Sequence, residues 1–189
     1  LIYYGEGFDN NVYVNVKGFN EIGGAKFSGK PDYVLSGWER MLWFMTEGQL
    51  GFAFTPPQEE IAMLYNRDVM NRVKTILING LTIDPDAYIV SDGERVYYAV
   101  QVLIDYPMHS GFAAANYIRY FAVVLIDVES GFMQGYVVSE PDGFLSSFYR
   151  EYYSIWDNPL PDWLIPQLRY PEALLGKSPE SGQLDIDFK

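Results

Sequence analysis

The order of elements along this chain predicts an α+β domain, with an antiparallel or mixed sheet built from β-hairpins and packed against two or three helices. Three observations carry that expectation. Almost half of the 189 residues are apolar and 17% are aromatic, ample material for a core and unlike a disordered chain. Two pairs of strand-like runs flank short turns that carry Asp-Gly or Ser-Gly. Segments with apolar residues at helical spacing stand before and after them.

The elements follow in order. Alternation through Asn11-Val12-Tyr13-Val14-Asn15-Val16 reads as a strand, and Gly18 to Lys30 as a loop. Ser36 with Glu39 has capping-box spacing, after which Trp38, Met41, Leu42 and Met45 recur at helical intervals until Gly48. A second helix is expected from Thr55-Pro56-Pro57-Gln58 to Asn79-Gly80, with Ala62, Tyr65, Val69, Val73 and Ile76 as its apolar stripe. The first hairpin joins Ala87–Val90 to Arg95–Leu103 through Ser91-Asp92-Gly93-Glu94. The second joins Tyr117–Asp127 to Phe132–Val138 through a turn with Glu129, Ser130 and Gly131. The run Phe121 to Ile126 is apolar on both faces and should be a central strand with one face under a helix. Asp142 opens a third helix with Leu145, Phe148, Tyr149, Tyr152 and Trp156, ended by Asp157-Asn158-Pro159. A short helical turn is expected within Asp162–Leu168, with Trp163 exposed. Residues 1–175 read as one domain and 176–189 as a polar, weakly ordered tail.

Composition narrows the chemistry. The formal charge of −12, from 25 acids and 13 bases, argues against a nucleic-acid partner and against adsorption to an anionic lipid surface. With no cysteine, disulfides, thiolate catalysis and cysteine-based metal centres are excluded. The longest apolar run, Tyr120 to Ile126, is far short of the roughly 20 residues a membrane helix needs. Leu1 in place of Met suggests a processed or excised chain.

Candidate motifs are weaker than they first look. Gly24-Ala25-Lys26-Phe27-Ser28-Gly29-Lys30-Pro31 follows the P-loop pattern until its last position. There Pro31 replaces the magnesium-binding Ser or Thr and removes a backbone donor, so the segment reads as a surface loop. His109 is the single histidine, placed in an expected exposed connection, Met108 to Gly111, with Asp105 and Ser110 nearby in sequence. Asp84, Asp86, Asp92, Glu94, Asp105, Asp127 and Glu129 fall at strand ends or turns, where local hydrogen bonding accounts for acids. Two of them could flank a glycosidic bond. Asp84-Pro85-Asp86 resembles the start of a calcium loop without its Gly and distal Glu. No catalytic residue, cofactor or metal ligand is assigned on this basis, with calcium the one cation considered. The Tyr149, Tyr152, Tyr153 and Trp156 stripe reads as core.

Several segments, in order, resemble a membrane family catalogued as Uncharacterised Protein Family 0182. They are Tyr3-Tyr4-Gly5-Glu6; Arg67-Asp68-Val69 with Arg72-Val73; Asp84 to Val90 with Asp92-Gly93; Asp105-Tyr106-Pro107; Asn116-Tyr117-Ile118-Arg119 followed by Val124 to Asp127 and Gly131; and Leu168-Arg169-Tyr170-Pro171-Glu172. The chain departs from the pattern at Tyr120, where the family usually has Asn, near Tyr97 and Tyr98, where it has Trp, and after Leu175. The resemblance implies a multi-pass membrane parent in bacteria and archaea, with this chain in its C-terminal extracytoplasmic region. It supplies no activity. The expected role is therefore a non-catalytic domain on the extracytoplasmic face, joined to the membrane-spanning part of its parent and binding a small molecule or protein. The alternative is a carboxylate-based hydrolase of envelope glycans, which needs a cleft, two acids and an aromatic platform. Asp105, Asn116, Arg119, Asp127, Arg169 and Tyr170 are the polar motif members to place, as a binding set or as a structural network in which Arg119 or Arg169 pairs with Asp127.

Overall fold

A computed structural model describes residues 1–16, 24, 26–48, 60–110, 113–140, 143–152 and 154–175. The expected tail, 176–189, lies outside them. Among the described residues, two antiparallel sheets and four α-helices make an α+β arrangement, as the sequence pattern indicates.

The larger sheet is organised by one long hairpin. β6 (Val96–Ser110) and β7 (Ala113–Asp127) pair along their whole lengths, from Tyr97 opposite Asp127 to Ser110 opposite Ala113. The connection expected at Met108 to Gly111 is thus the far end of a strand pair: Met108, His109 and Ser110 belong to β6, while Gly111 lies outside the described residues. Short β4 (Leu81–Ile83) and β5 (Tyr88–Ser91) lie in succession along the outer edge of β6, and β8 (Met133–Val137) pairs with β7 on the other side. Both expected hairpin turns form. Gly93 and Gly131 supply their positive φ, +95° and +68°.

Phe121 to Ile126 is buried throughout, as a strand between β6 and β8 must be when both faces are covered. A register shift beside Val102 and Leu103 lets Phe121 join the same face as Ala122 and Val124. That face packs on α2 (Val69–Lys74), on Tyr149 of α3 (Gly143–Tyr152) and on Trp156. The opposite face carries Ala99, Val123 and Leu125 and is closed by Leu160, Trp163, Leu164 and Leu168. These belong to a C-terminal strap that contains the expected helical turn, as 3-10 helix Ile165–Gln167, and ends in α4 (Glu172–Leu175). Trp163, expected to be exposed, is half-buried and stacks on Tyr97 at 5.9 Å between ring centres.

The smaller sheet is β1 (Val12–Val14), β3 (Ile61–Leu64) and β2 (Tyr33–Leu35), with β3 central. It corrects the long-helix expectation. Of Ala62, Tyr65, Val69, Val73 and Ile76, only Val69 and Val73 are in a helix, and its proposed cap, Thr55 to Gln58, lies outside the described residues. Ile-Ala-Met-Leu is short enough to suit either state. Pairing with two strands decides it, and Asn66 at φ +50° followed by the extended Asp68 separates strand from helix. Asp68, not a residue near 55, caps the helix by accepting from the Asn71 N–H at 2.7 Å.

The first expected helix forms as α1 (Gly37–Thr46), with Ser36 at the N-cap but no side-chain cap hydrogen bond. Its rotation differs from expectation. Phe44 packs on the small sheet with Met41 half-buried beside it, and Arg40 is buried, whereas Trp38, Leu42 and Met45 are exposed by 75%, 59% and 47%.

Candidate functional site

Part of the motif set gathers, with residues outside it, into two internal clusters and one open cleft. In the first cluster, Tyr4 is fully buried and its hydroxyl donates to Asp32 at 3.0 Å. Arg72 on α2 lies over the Tyr4 ring and donates to Asp32 at 2.8 Å, to the Gly131 carbonyl at 3.0 Å and to the Tyr65 carbonyl at 3.2 Å. Arg67 donates to the Tyr3 carbonyl at 2.6 Å, and Asp68 accepts the Gly7 N–H at 2.7 Å. Burial, then the adjacent Asp32 charge, pushes the Tyr4 phenol well above its usual range. This cluster ties the first residues of the chain to α2 and to the β7–β8 turn.

The second cluster fastens the strap. Asp84 is fully buried; its carboxylate accepts the Asp86 N–H at 3.0 Å and the Ala173 N–H at 2.8 Å. Buried Gln101 donates to the Arg169 carbonyl, and the Tyr88 hydroxyl accepts the Arg169 N–H at 3.2 Å. The Arg169 guanidinium lies 4.7 Å above the Tyr88 ring. Gln167 adds bonds to the backbone of Ser91. Burial raises the pKa of Tyr88 and Tyr120 beneath this strap.

The cleft has a volume of about 490 Å³ and lies where the β5–β6 and β7–β8 turns meet the Ser28-Gly29 loop. Asp127 stands at its floor, buried, with one oxygen accepting the Glu129 and Ser130 N–H groups at 2.9 and 2.7 Å. Arg95, on the rim, faces its other oxygen at 3.6 Å, and Glu94 and Glu129 complete the charged lining. None of the cleft's described lining residues is aromatic. Within the Gly24 to Pro31 segment Ser28 and Gly29 line this cleft, Phe27 is buried in the main core, and β2, not a helix, follows.

The six residues singled out from sequence do not converge. Asp127 and Arg119 are eight positions apart on β7, on the order of 25 Å for an extended strand. In place of an ion pair with Arg119 or Arg169, Asp127 faces Arg95. Asp105 lies opposite Ile118, and Arg119 opposite Ile104, so the pleat sends their side chains to opposite faces. Asn116 pairs with Pro107 in backbone register; its side chain lies outside the described residues. Arg169 and Tyr170 are exposed on the strap. Among the described residues no three acidic or histidine side chains converge to hold a metal such as calcium. Sequence reasoning missed Asp32, Arg95 and Gln101. Gln101, a lone polar residue inside the apolar run from Ala99 to Ile104, did carry a signal, since a buried amide needs a partner.

The fold is thus an α+β class in which the described motif residues of both clusters act as internal fastenings. Residues 1–176 match the family described as "Uncharacterised protein family (UPF0182)", and the chain belongs to it. Similar relatives, each called a UPF0182 protein, come from Clostridium tetani, 25% identical over 92% of this chain, and Clostridium kluyveri, 26% identical over 92%. Another, from Clostridium novyi, is 27% identical over 83% of it. The chain spans about a fifth of the length of these relatives, 21%, 20% and 18% respectively. No solved structure matches it.

Proposed function

We propose that this chain is a non-catalytic extracytoplasmic domain of an integral membrane protein, and that it binds a small polar ligand or a protein partner for that parent. The observation that carries the reading is the use of the motif side chains. Asp84, Arg67, Asp68 and Arg72 spend hydrogen bonds on the domain's own backbone rather than on a shared reaction centre. The cleft at Asp127 is of ligand size, and its exposed Arg95, Glu94 and Glu129 give it charges of both signs. The glycan-hydrolase alternative asks for an aromatic platform, which the described cleft lining does not provide. No helix among the described residues is long and apolar enough to cross a membrane.

The test is a topology reporter. Alkaline phosphatase, which folds only outside the cytoplasm, is fused after Leu175 in the full-length polypeptide. Active enzyme is expected; an inactive fusion, with a cytoplasmic reporter active at the same point, refutes the location. For binding, a ligand that raises the melting temperature should lose that effect in Arg95→Ala. An unchanged shift moves the binding site away from the cleft.

A further inference from the structure

The outward face of α1 is an apolar surface on an element already anchored by its other side. Trp38, Leu42 and Met45 recur at intervals of four and three and so share one face. Beside them runs a groove of about 420 Å³ lined by Tyr33, Val34, Leu35, Leu42, Trp43 and Met63, with Glu39 as its charged residue. Tyr33 and Val34 belong to β2, an edge strand of the small sheet, and are exposed. Tyr65 extends the patch, edge-on to Tyr33 at 5.9 Å. Singly exposed apolar residues need no explanation, but a contiguous set around a groove marks an interface.

Three occupants fit an apolar groove, and the observations favour one. A membrane-surface helix carries Lys or Arg on its polar flanks. In α1 the flanking charge is Glu39, Arg40 is turned inward and buried, and the chain has a net charge of −12. A second copy of the chain must associate from dilute solution. A segment of the same polypeptide is present at an effective concentration on the order of millimolar. About four-fifths of each relative lies outside the region that matches this chain, so such a segment is available in quantity.

We propose that the α1–β2 face is an intramolecular docking surface, covered in the full-length polypeptide by an apolar helix or strand from outside these 189 residues. The occupant presents large aliphatic or aromatic side chains to Trp38 and Leu42 and a donor or basic group to Glu39. The inference needs only the longer polypeptide, and it stands whether or not the domain faces the cell exterior.

The test places a photo-crosslinking phenylalanine analogue at position 42, and separately at 45, in the full-length polypeptide. Both sites are exposed on α1, so the fold tolerates the change. Irradiation should yield a product at monomer mass, with the probe joined to a peptide from outside residues 1–189. Leu42→Asp should at least double the labelling of that peptide by a solvent-borne probe. Crosslinks to lipid, to a second copy, to residues within this domain or to nothing would each overturn the proposal. None of these outcomes bears on the topology reporter, so the two readings fail separately.

Discussion

Replacing Gly131 with alanine should destabilise the protein far more than the same change at Gly93, although both glycines sit in hairpin turns at positive φ. A side chain in the left-handed region costs about 1–2 kcal/mol wherever it occurs. At Gly93 that is the whole cost, because a Cβ there would meet nothing within 4 Å. At Gly131 a Cβ would stand 2.6 Å from two carbons of the Tyr4 ring and closer still to a third. The ring would have to retreat by about 1 Å to reach ordinary carbon contact. It has little room, being held by Asp32 at its hydroxyl, by Arg72 over its face and by the Tyr4 N–H bond to the Val128 carbonyl at 3.1 Å. Overpacking of this kind adds about 1–3 kcal/mol, for a total of about 2–5. Urea unfolding of the two variants measures the difference. Equal destabilisation, within about 0.5 kcal/mol, would show that Tyr4 is not clamped against this turn.

Two further outcomes follow from the clusters. Asp84→Ala leaves two part-buried N–H groups without their acceptor and should cost about 1–3 kcal/mol, with faster proteolysis between residues 158 and 175. Arg169→Ala removes only an exposed guanidinium above Tyr88 and should cost about 0.5–1 kcal/mol, since the backbone of Arg169 makes the bonds to Tyr88 and Gln101. A loss from Arg169→Ala as large as that from Asp84→Ala would contradict this division. Burial raises the phenol pKa of Tyr4, Tyr88, Tyr120 and Tyr136, and of Tyr97 to about 12, with the Tyr97 bond to Asp92 adding to the last. Unfolded tyrosines ionise near pH 10, so the native state holds these protons more tightly. The associated stability is intact below about pH 10 and is lost as pH rises above it, for Tyr97 through about 12. Tyrosinate absorbance and circular dichroism should therefore change together in that window. Complete titration near pH 10 with the fold retained would refute the burial.

The hairpins were legible because their signals are local: alternation, Asp-Gly or a Gly turn, and a doubly apolar run at Phe121 to Ile126. The strand at Ile61–Leu64 was not, because four apolar residues take their state from their partners, and Tyr13 and Tyr33 opposite Met63 lie 50 and 30 positions away. The outward turn of α1 was hidden for a related reason. Periodicity finds an apolar stripe but assumes that it faces the core; here Phe44 takes that place with Met41, and Trp38, Leu42 and Met45 are left outside. Ion-pair partners were least legible. Asp127 meets Arg95 because the two hairpin turns lie side by side, which no spacing along the chain reveals.

The two clusters also change how the recurring motifs should be read. Tyr4, Arg67 and Arg72 secure the first residues to α2, while Asp84, Tyr88 and Gln101 secure the strap. Both ends of the described chain are thus pinned to one long hairpin, from opposite faces. Fastening residues spread along the chain are what such a design requires, because each fastening joins segments distant in sequence. Loss of any one would act through the amount of folded protein before it acted through a ligand, since 1–2 kcal/mol changes abundance several-fold. Substitutions at these fastening positions are therefore poor probes of this chain's function. Arg95 and Glu94 in the cleft and Leu42 on α1 are exposed and carry little of the fold's stability. A phenotype at those positions, with folded protein at normal abundance, would separate function from fastening.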